Sequence, residues 1–91
     1  MKGQLPRYLA RVEVRLQADV NDPPGNTVAD GLLQLGFDGV RSVRIGKLIE
    51  IELEADGAEA ALADTEAMAS RLLANPVIED FAIQVRETAA S

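Results

Sequence analysis

Apolar and polar residues alternate over residues 8–17, which is the pattern of a β-strand with one buried face. One side carries Tyr8, Ala10, Val12, Val14 and Leu16. The other side carries Arg11, Glu13, Arg15 and Gln17. The alternation returns over residues 43–53, and again where Phe81, Ile83 and Val85 alternate with polar or small residues. These three segments are the predicted strand regions.

The second strand region is interrupted by Gly46 and Lys47. A two-residue turn there would place Val43 opposite Glu50, whereas a three-residue loop over residues 46–48 places Val43 opposite Ile51. The longer loop brings every apolar partner to one face, so we predict a β-hairpin at residues 46–48. A single long strand bent at Gly46 preserves the same alternation and is the alternative.

Two helices separate the strands. The segment Asn21-Asp22-Pro23-Pro24-Gly25 is expected to break regular structure, since proline fixes φ and removes a donor. Thr27 with Asp30 resembles a capping box and predicts the start of the first helix, and Gly36 is placed to end it. Gly31 within this helix costs about 1 kcal/mol relative to alanine.

The second helix is predicted from an apolar stripe that recurs at helical spacing. Asp56 and Glu59 form its cap signal, and Asn75-Pro76 ends it. The stripe comprises Ala58, Ala61, Leu62, Thr65, Met68, Ala69, Leu72 and Leu73.

The predicted element order is therefore β-α-β-β-α-β, an α+β, ferredoxin-like layout with two helices on one face of a mostly antiparallel sheet. No linker, repeat or low-complexity segment divides the chain. Residues 1–91 are expected to form one domain with an ordered core over about residues 8–86 and short flexible tails, including residues 88–91.

The amino-acid composition excludes several classes of function. The chain has no cysteine and no histidine, which excludes thiolate chemistry, histidine-based triads and the commonest transition-metal ligands. A net charge of −6 without a basic stripe argues against nucleic-acid binding. No apolar stretch is long enough for a membrane span and no N-terminal signal region is present, so a cytoplasmic protein is expected.

Candidate motifs give no catalytic centre. Gly46-Lys47 lacks the earlier glycine and the following Ser or Thr of a phosphate-binding loop, because Arg41 and Leu48 stand there. The alternate carboxylates Glu50, Glu52 and Glu54 are typical of a solvated sheet face, although such a row could also hold a hard cation. We predict no catalytic, cofactor-binding or metal-binding residue on this chain.

Exposed polar residues beside two turns are the candidates for partner contact. Arg44 and Lys47, with Arg41, make a small basic spot that suits an acidic protein surface. Asn75, Glu79 and Asp80 surround the turn into the last strand. Glu79 and Asp80 are neighbours on a strand and should point to opposite faces, so they do not form an acid–base pair by themselves.

Three stretches together resemble the PurS family, the small non-catalytic subunits of bacterial and archaeal phosphoribosylformylglycinamidine synthase. They are Asp22-Pro23-Pro24-Gly25, Val43-Arg44-Ile45-Gly46-Lys47, and Leu72-Leu73-Ala74-Asn75-Pro76-Val77-Ile78-Glu79-Asp80-Phe81. The resemblance runs over about residues 8–85. Pro24 departs from the family pattern, in which a polar residue often stands at that position.

The resemblance implies a role in de novo purine synthesis, in a complex that uses ATP and glutamine to make formylglycinamidine ribonucleotide. A large ligase subunit (PurL) uses ATP and Mg²⁺, and a glutaminase subunit (PurQ) releases ammonia. A PurS chain bridges the two and supports ammonia transfer. The resemblance also implies that the chain assembles with itself, as a dimer or a dimer of dimers. Arg44, Lys47, Asn75, Glu79 and Asp80 are then expected to contact the larger subunits.

Two other classes share this layout. A regulatory domain of the ACT type binds small metabolites at a dimer interface, and a binding titration against amino acids would distinguish it. An acylphosphatase-type enzyme needs a glycine-rich phosphate cradle with an arginine after the first strand. The corresponding loop here is acidic and carries two prolines, which argues against that enzyme.

Overall fold

The computed structural model describes residues 5–88. Within this range the elements are β1 (Arg7–Leu16), α1 (Pro23–Gln34), β2 (Lys47–Glu54), α2 (Ala58–Met68), a π-helical extension of α2 (Ala69–Leu73), and β3 (Glu79–Glu87). The expected tails at residues 1–4 and 89–91 lie outside the described residues. Thr88 is not frayed, because its backbone N–H donates to the carbonyl of Arg7 at 2.9 Å.

The described strands form one antiparallel sheet in the order β2-β1-β3. The register places Val12 of β1 beside Ile49 of β2 and Ile83 of β3, so the apolar positions of all strands share one face. We call this the apolar face and the opposite one the open face. The α+β class with an antiparallel sheet is confirmed, and the strand boundaries from alternation hold for β1 and β3.

The predicted hairpin at residues 46–48 is wrong, and so is the bent-strand alternative. Residues 41–46 have no regular structure, and β2 begins at Lys47. The reason is that the N–H of Ile45 donates to the side chain of Asp22 at 2.8 Å instead of to a neighbouring strand. The alternation of Val43 and Ile45 therefore belongs to a loop segment, and the sheet has three strands in the described chain rather than four.

The start of α1 also differs from the prediction. The helix begins at Pro23, with Asp22 as its N-cap and prolines at its first two positions. Those positions need no N–H donor inside the helix, so proline is tolerated there and its fixed φ suits the first turn. Thr27 lies inside the helix, where its hydroxyl donates to the carbonyl of Pro23. The predicted end is confirmed, since Gly36 follows the helix with φ 98°.

Helix α2 covers the apolar face over β1 and β3. Its buried side chains are Ala61, Thr65 and, in the π-helical extension, Ala69. Small residues at these positions let the helix approach the sheet closely, and Thr65 satisfies its hydroxyl on the carbonyl of Ala61 at 2.7 Å. Gly57, not Asp56, is the N-cap, and it makes no side-chain cap. Leu72, which was assigned to the apolar stripe, is exposed because the extension shifts the helical phase before Ala74.

Helix α1, which was expected on the same face, does not cover the sheet and packs extensively against no strand. The molecule is 60 Å long, whereas β1, with its ten residues, accounts for about 33 Å of that length. Most of α1 therefore lies beyond one end of the sheet. We call α1 together with the returning segment, residues 35–46, the arm.

Candidate functional site

The arm joins the sheet through the buried carboxylate of Asp22, whose side chain is 2 % exposed. One oxygen accepts the N–H of Gly25 at 3.0 Å and caps α1; the other accepts the N–H of Ile45 at 2.8 Å. The hydrogen bond from Ile45, then that from Gly25 and the nearby charge of Arg44 lower the pKa of Asp22, and they outweigh the opposing effect of burial. A single ionised side chain thus connects the start of α1 to the returning segment of the arm.

Two glycines permit the close approach that this junction needs. A Cβ on Gly25 would collide with the carbonyl oxygen of Val43, and one on Gly46 would lie 2.5 Å from the carbonyl oxygen of Val14. Neither glycine has a positive φ, so the requirement here is for space rather than for an unusual backbone conformation. The two turns that resembled a family pattern in sequence are therefore in direct backbone contact.

Arg44 ties this junction to the strand end. Its guanidinium donates to the carbonyl of Gln17 at 2.9 Å, and the N–H of Gln17 donates to the carbonyl of Ile78 at 2.8 Å. These bonds run from the returning segment of the arm, through the end of β1, to the turn that precedes β3. Arg44 thus has a structural role as well as its predicted place at the surface.

The turn before β3 is closed by its own polar side chains. The side-chain oxygen of Asn75 accepts the N–H of Val77 at 3.0 Å, and the carboxylate of Glu79 accepts the N–H of Asn75 at 2.7 Å. The N–H of Glu79 in turn donates to the carbonyl of Asn75 at 2.7 Å. The sequence Asn75-Pro76 therefore forms a defined turn, and it fixes where Glu79 enters the sheet.

All three family-like stretches meet at a surface pocket of about 200 Å³ at this end of the sheet. We call it the motif pocket. Its lining combines apolar and polar residues: Val14, Leu16, Asp22, Pro24, Ile45, Gly46, Lys47 and Glu79. The ammonium group of Lys47 makes no ion pair within the described chain, and both it and Glu79 retain accessible surface. The pocket offers one cation, the carboxylate of Glu79 and the buried carboxylate of Asp22 beside apolar side chains.

The predicted contact residues are only partly brought together. Lys47 and Glu79 line the motif pocket, and Arg44 and Asn75 support the segments around it. Asp80 pairs with Arg15 in the register and so points to the open face, as the strand alternation predicted. Sequence reasoning missed Asp22, although an aspartate immediately before Pro-Pro-Gly is a typical N-cap.

The open face of the sheet carries paired charges. Arg11 lies 3.5 Å from Glu50 and Arg7 lies 3.7 Å from Glu54, with each side chain about half exposed. Such pairs contribute about 0–1 kcal/mol each. No group of three metal-binding side chains converges in residues 5–88. None of the helices in that same stretch has the length and apolar character to cross a membrane.

The junction gives a pH-dependent prediction. Asp22→Asn should lower the melting temperature by several degrees at pH 7, because the amide offers only one acceptor to two backbone N–H groups. The lowered pKa of Asp22 means that its contribution is complete above the ordinary value of about 3.9 and is lost as the pH falls through the folded-state value. The difference between variant and wild type should therefore shrink below about pH 4.

Thermal unfolding followed by circular dichroism at fixed protein concentration measures this difference. Asp19→Asn is the matched control, because Asp19 lies in the same connection but is exposed. It should leave the melting temperature unchanged. Equal pH profiles for Asp22→Asn and wild type would show that the carboxylate does not stabilise the junction.

Comparison with known proteins agrees with this geometry. The model of the family described as PurS: Phosphoribosylformylglycinamidine (FGAM) synthase matches residues 9–87. The PurS subunit of Synechocystis is 46% identical over 78 residues, which cover 86% of this chain and 78% of that protein. The crystal structure of Thermus thermophilus PurS superposes with a TM-score of 0.84 at 38% identity, covering 92% of this chain and 100% of that one.

A chain in the structure of PurLQS from Thermotoga maritima is also similar, with a TM-score of 0.80 and 32% identity over 92% of this chain and 100% of that one. These matches favour the family resemblance over a regulatory domain of the ACT type. They cover all three stretches that meet at the motif pocket. The chain belongs to the PurS family of phosphoribosylformylglycinamidine synthase subunits.

Proposed function

We propose that this chain bridges the glutaminase and the ATP-dependent ligase subunits of its synthase and supports the transfer of ammonia between them. The observation that carries the proposal is the convergence of Asp22-Pro23-Pro24-Gly25, Gly46-Lys47 and Glu79 on one surface pocket. The pocket offers charged and apolar groups for recognition, and a rigid scaffold that presents loop residues is the usual form of a docking site. The similarity to a chain of the PurLQS structure supports the same role.

The chemistry explains why such a subunit is needed. Ammonia released by glutamine hydrolysis is a nucleophile only while it is unprotonated, and it is diluted once it escapes into water. A subunit that holds glutaminase and ligase together raises the effective concentration of ammonia at the ligase. In this proposal ATP and Mg²⁺ bind the large subunit, this chain holds no cofactor, and the complex acts in the cytoplasm.

We also propose that the chain functions as a homo-oligomer. Its radius of gyration is 17.7 Å, whereas a compact domain of this length has a value of about 12 Å. Such an extended single chain leaves apolar surface without cover, and a second copy is the simplest source of that cover. A dimer, or a dimer of dimers, fits this shape.

Reconstitution of the synthase tests the bridging role. The large ligase subunit and the glutaminase are assayed with and without this chain, first with glutamine and then with ammonium chloride as the nitrogen source. Omission of the chain should lower glutamine-dependent activity at least about tenfold, equivalent to about 1.4 kcal/mol of coupling, and should change ammonia-dependent activity much less. The chain alone should show no turnover.

Heat-denatured chain added to the other two subunits is the control for non-specific protein effects. Equal glutamine-dependent activity with and without the folded chain would contradict the proposal. An equal fall with both nitrogen sources would indicate that the chain stabilises the ligase and does not couple the two reactions.

A further inference from the structure

Arg15 is an exposed cation of the open face that has no partner in its own chain. Its neighbour in the register of β3 is Asp80, yet Arg15 makes no ion pair or side-chain hydrogen bond within residues 5–88. The other arginines of β1, Arg7 and Arg11, each lie against a glutamate of β2. The guanidinium of Arg15 is therefore available to a group from outside the chain.

Gly46 permits Arg15 to lean away from Asp80. The Cγ atom of Arg15 lies 3.0 Å from the position that a Cβ on Gly46 would occupy. The stem of the arginine thus lies over the glycine, on the side of β1 that faces β2, whereas Asp80 belongs to β3 on the opposite side. Because a larger residue at position 46 would displace this stem, the glycine leaves room for the direction in which Arg15 extends.

Arg15 lines a surface cleft of about 260 Å³ together with Glu13, Gly46, Lys47 and Leu48. We call it the Arg15 cleft. Gly46 and Lys47 line the motif pocket as well, so the two depressions are adjacent. The Arg15 cleft holds two cations that are unpaired within the described chain, beside the carboxylate of Glu13, in a protein whose net charge is −6. It is therefore a local positive site on an acidic molecule.

The chemistry of the Arg15 cleft fits a carboxylate that is carried by a protein segment. A guanidinium binds a carboxylate through two parallel hydrogen bonds, and the ammonium group of Lys47 adds further donors. Leu48, which is 50 % exposed, offers apolar contact to a neighbouring side chain of the same segment. A phosphate group carries more negative charge, which Glu13 repels, and it makes no use of Leu48.

We propose that the Arg15 cleft binds an acidic segment of a larger subunit of the synthase, with Arg15 and Lys47 holding a carboxylate of that segment. This inference rests on the proposed bridging function. It specifies the chemistry of the partner and adds Arg15, on the open face, to the docking surface. Once a partner covers the cleft, water screens its charges less, so loss of one cation weakens binding more than it would at an exposed rim.

Binding of the chain to the mixed ligase and glutaminase subunits tests this inference. The chain is immobilised through a C-terminal tag, because Thr88 lies beside Arg7, at the end of β1 opposite to the cleft. Arg15→Gln should raise the Kd about tenfold, and Arg15→Glu about a hundredfold because it repels the carboxylate. Arg15→Lys keeps the charge and loses the planar fork, so its Kd should lie between those of wild type and Arg15→Gln.

Arg86→Gln and Arg86→Glu are the matched controls. Arg86 is an exposed arginine on the same face at the other end of the sheet, and it makes no ion pair within the residues that the structure describes. Both controls should keep the wild-type Kd. The wild-type Kd should also rise with salt concentration, and that of Arg15→Gln should rise less steeply, because one contact between charges is missing.

A wild-type Kd in Arg15→Glu would overturn the inference, and so would an equal loss of affinity in the Arg86 controls. A changed oligomeric mass of Arg15→Glu would also overturn it, by showing that a second copy covers the cleft. Inorganic phosphate that raises the melting temperature of wild type but not of Arg15→Gln would show instead that a free anion occupies the cleft.

Failure of the proposed function gives a different result. A wild-type chain that neither binds the two subunits nor raises their glutamine-dependent activity rejects the bridging role and this inference with it. A wild-type chain that does both, while Arg15→Glu binds equally well, rejects only the role of the Arg15 cleft.

Discussion

Gly25→Ala is expected to destabilise the folded chain by about 1–3 kcal/mol, the usual cost of forcing an extra methyl group into a packed site. The same substitution at Gly31, six residues further along α1, is expected to stabilise it by up to about 1 kcal/mol. The two glycines share a helix and differ in their surroundings. This contrast isolates the steric requirement of the arm junction from the general effect of glycine on a helix.

The structural reason lies in what a new Cβ would meet. At Gly25 it would collide with the backbone carbonyl of Val43 and approach the carboxylate of Asp22, so α1 and the returning segment of the arm would have to separate. That movement would also break the hydrogen bond from Ile45 to Asp22. At Gly31 nothing lies within 4 Å, so alanine removes conformational freedom from the unfolded chain without a clash.

Urea unfolding at one fixed protein concentration measures both variants against wild type, since an oligomer's apparent stability depends on concentration. Circular dichroism of the folded variants checks that helix content is retained. Equal stability of Gly25→Ala and Gly31→Ala would show that the arm junction accommodates an extra methyl group without cost and does not require glycine at position 25.

Much of the sheet could be predicted from the sequence because its pattern is local. A strand with one buried face alternates at every second residue, and β1 and β3 follow this rule with Val12, Val14 and Ile83 on the apolar face. The stripe of α2 was equally readable at Ala61, Thr65 and Ala69. In these elements the side-chain pattern and the tertiary contacts agree.

The errors fall where a distant contact overrides the local pattern. Val43 and Ile45 alternate like a strand, yet the N–H of Ile45 is taken by Asp22, which lies 23 residues earlier in the chain. The two prolines were taken as a break, although they occupy the helix positions where a missing N–H has no cost. Neither outcome follows from residue periodicity, because both depend on the single side chain of Asp22.

The sequence predicted residues of the candidate site, but not how the structure brings them together. Lys47 and Glu79 were chosen from separate turns, and the structure places both at the motif pocket. To predict that they lie close together, one must know that β2 and β3 lie on either side of β1 and that both strands begin at the same end of β1. Asp80 was grouped with Glu79 beside the same turn, and the structure places the two on opposite faces of the sheet, as the strand alternation predicted.

Substitution of Lys47 or Glu79 is expected to lower glutamine-dependent activity of the reconstituted synthase by about tenfold while ammonia-dependent activity changes much less. This expectation rests on the proposed bridging role. A charge at a wet rim contributes about 0–1 kcal/mol, whereas truncation of a buried interfacial charge costs about 2–5 kcal/mol. A tenfold loss corresponds to about 1.4 kcal/mol, as expected for groups that become partly buried when a partner covers the pocket.

The variants are Lys47→Ala, Glu79→Ala and Glu79→Gln. The glutamine side chain keeps an oxygen that accepts the N–H of Asn75 and removes only the charge. If both Glu79 variants lose activity, the partner recognises the charge of Glu79. If only Glu79→Ala loses activity, the cause is the lost hydrogen bond that closes the turn. Glu87→Ala is the control on the same strand and face at the opposite end of the sheet, and Arg86→Ala is the control for loss of a cation.

Retained fold and unchanged oligomeric mass are required of every variant before its activity is interpreted. Unaltered glutamine-dependent activity in Lys47→Ala and Glu79→Gln would remove both residues from the interface and leave the motif pocket as a structural feature of the arm junction. An equal loss in the Glu87 and Arg86 controls would point to the whole chain surface rather than to this end of the sheet. A loss confined to the pocket variants would place the docking of a larger subunit at the junction that Asp22 holds together, because Asp22, Lys47 and Glu79 line the same pocket of about 200 Å³.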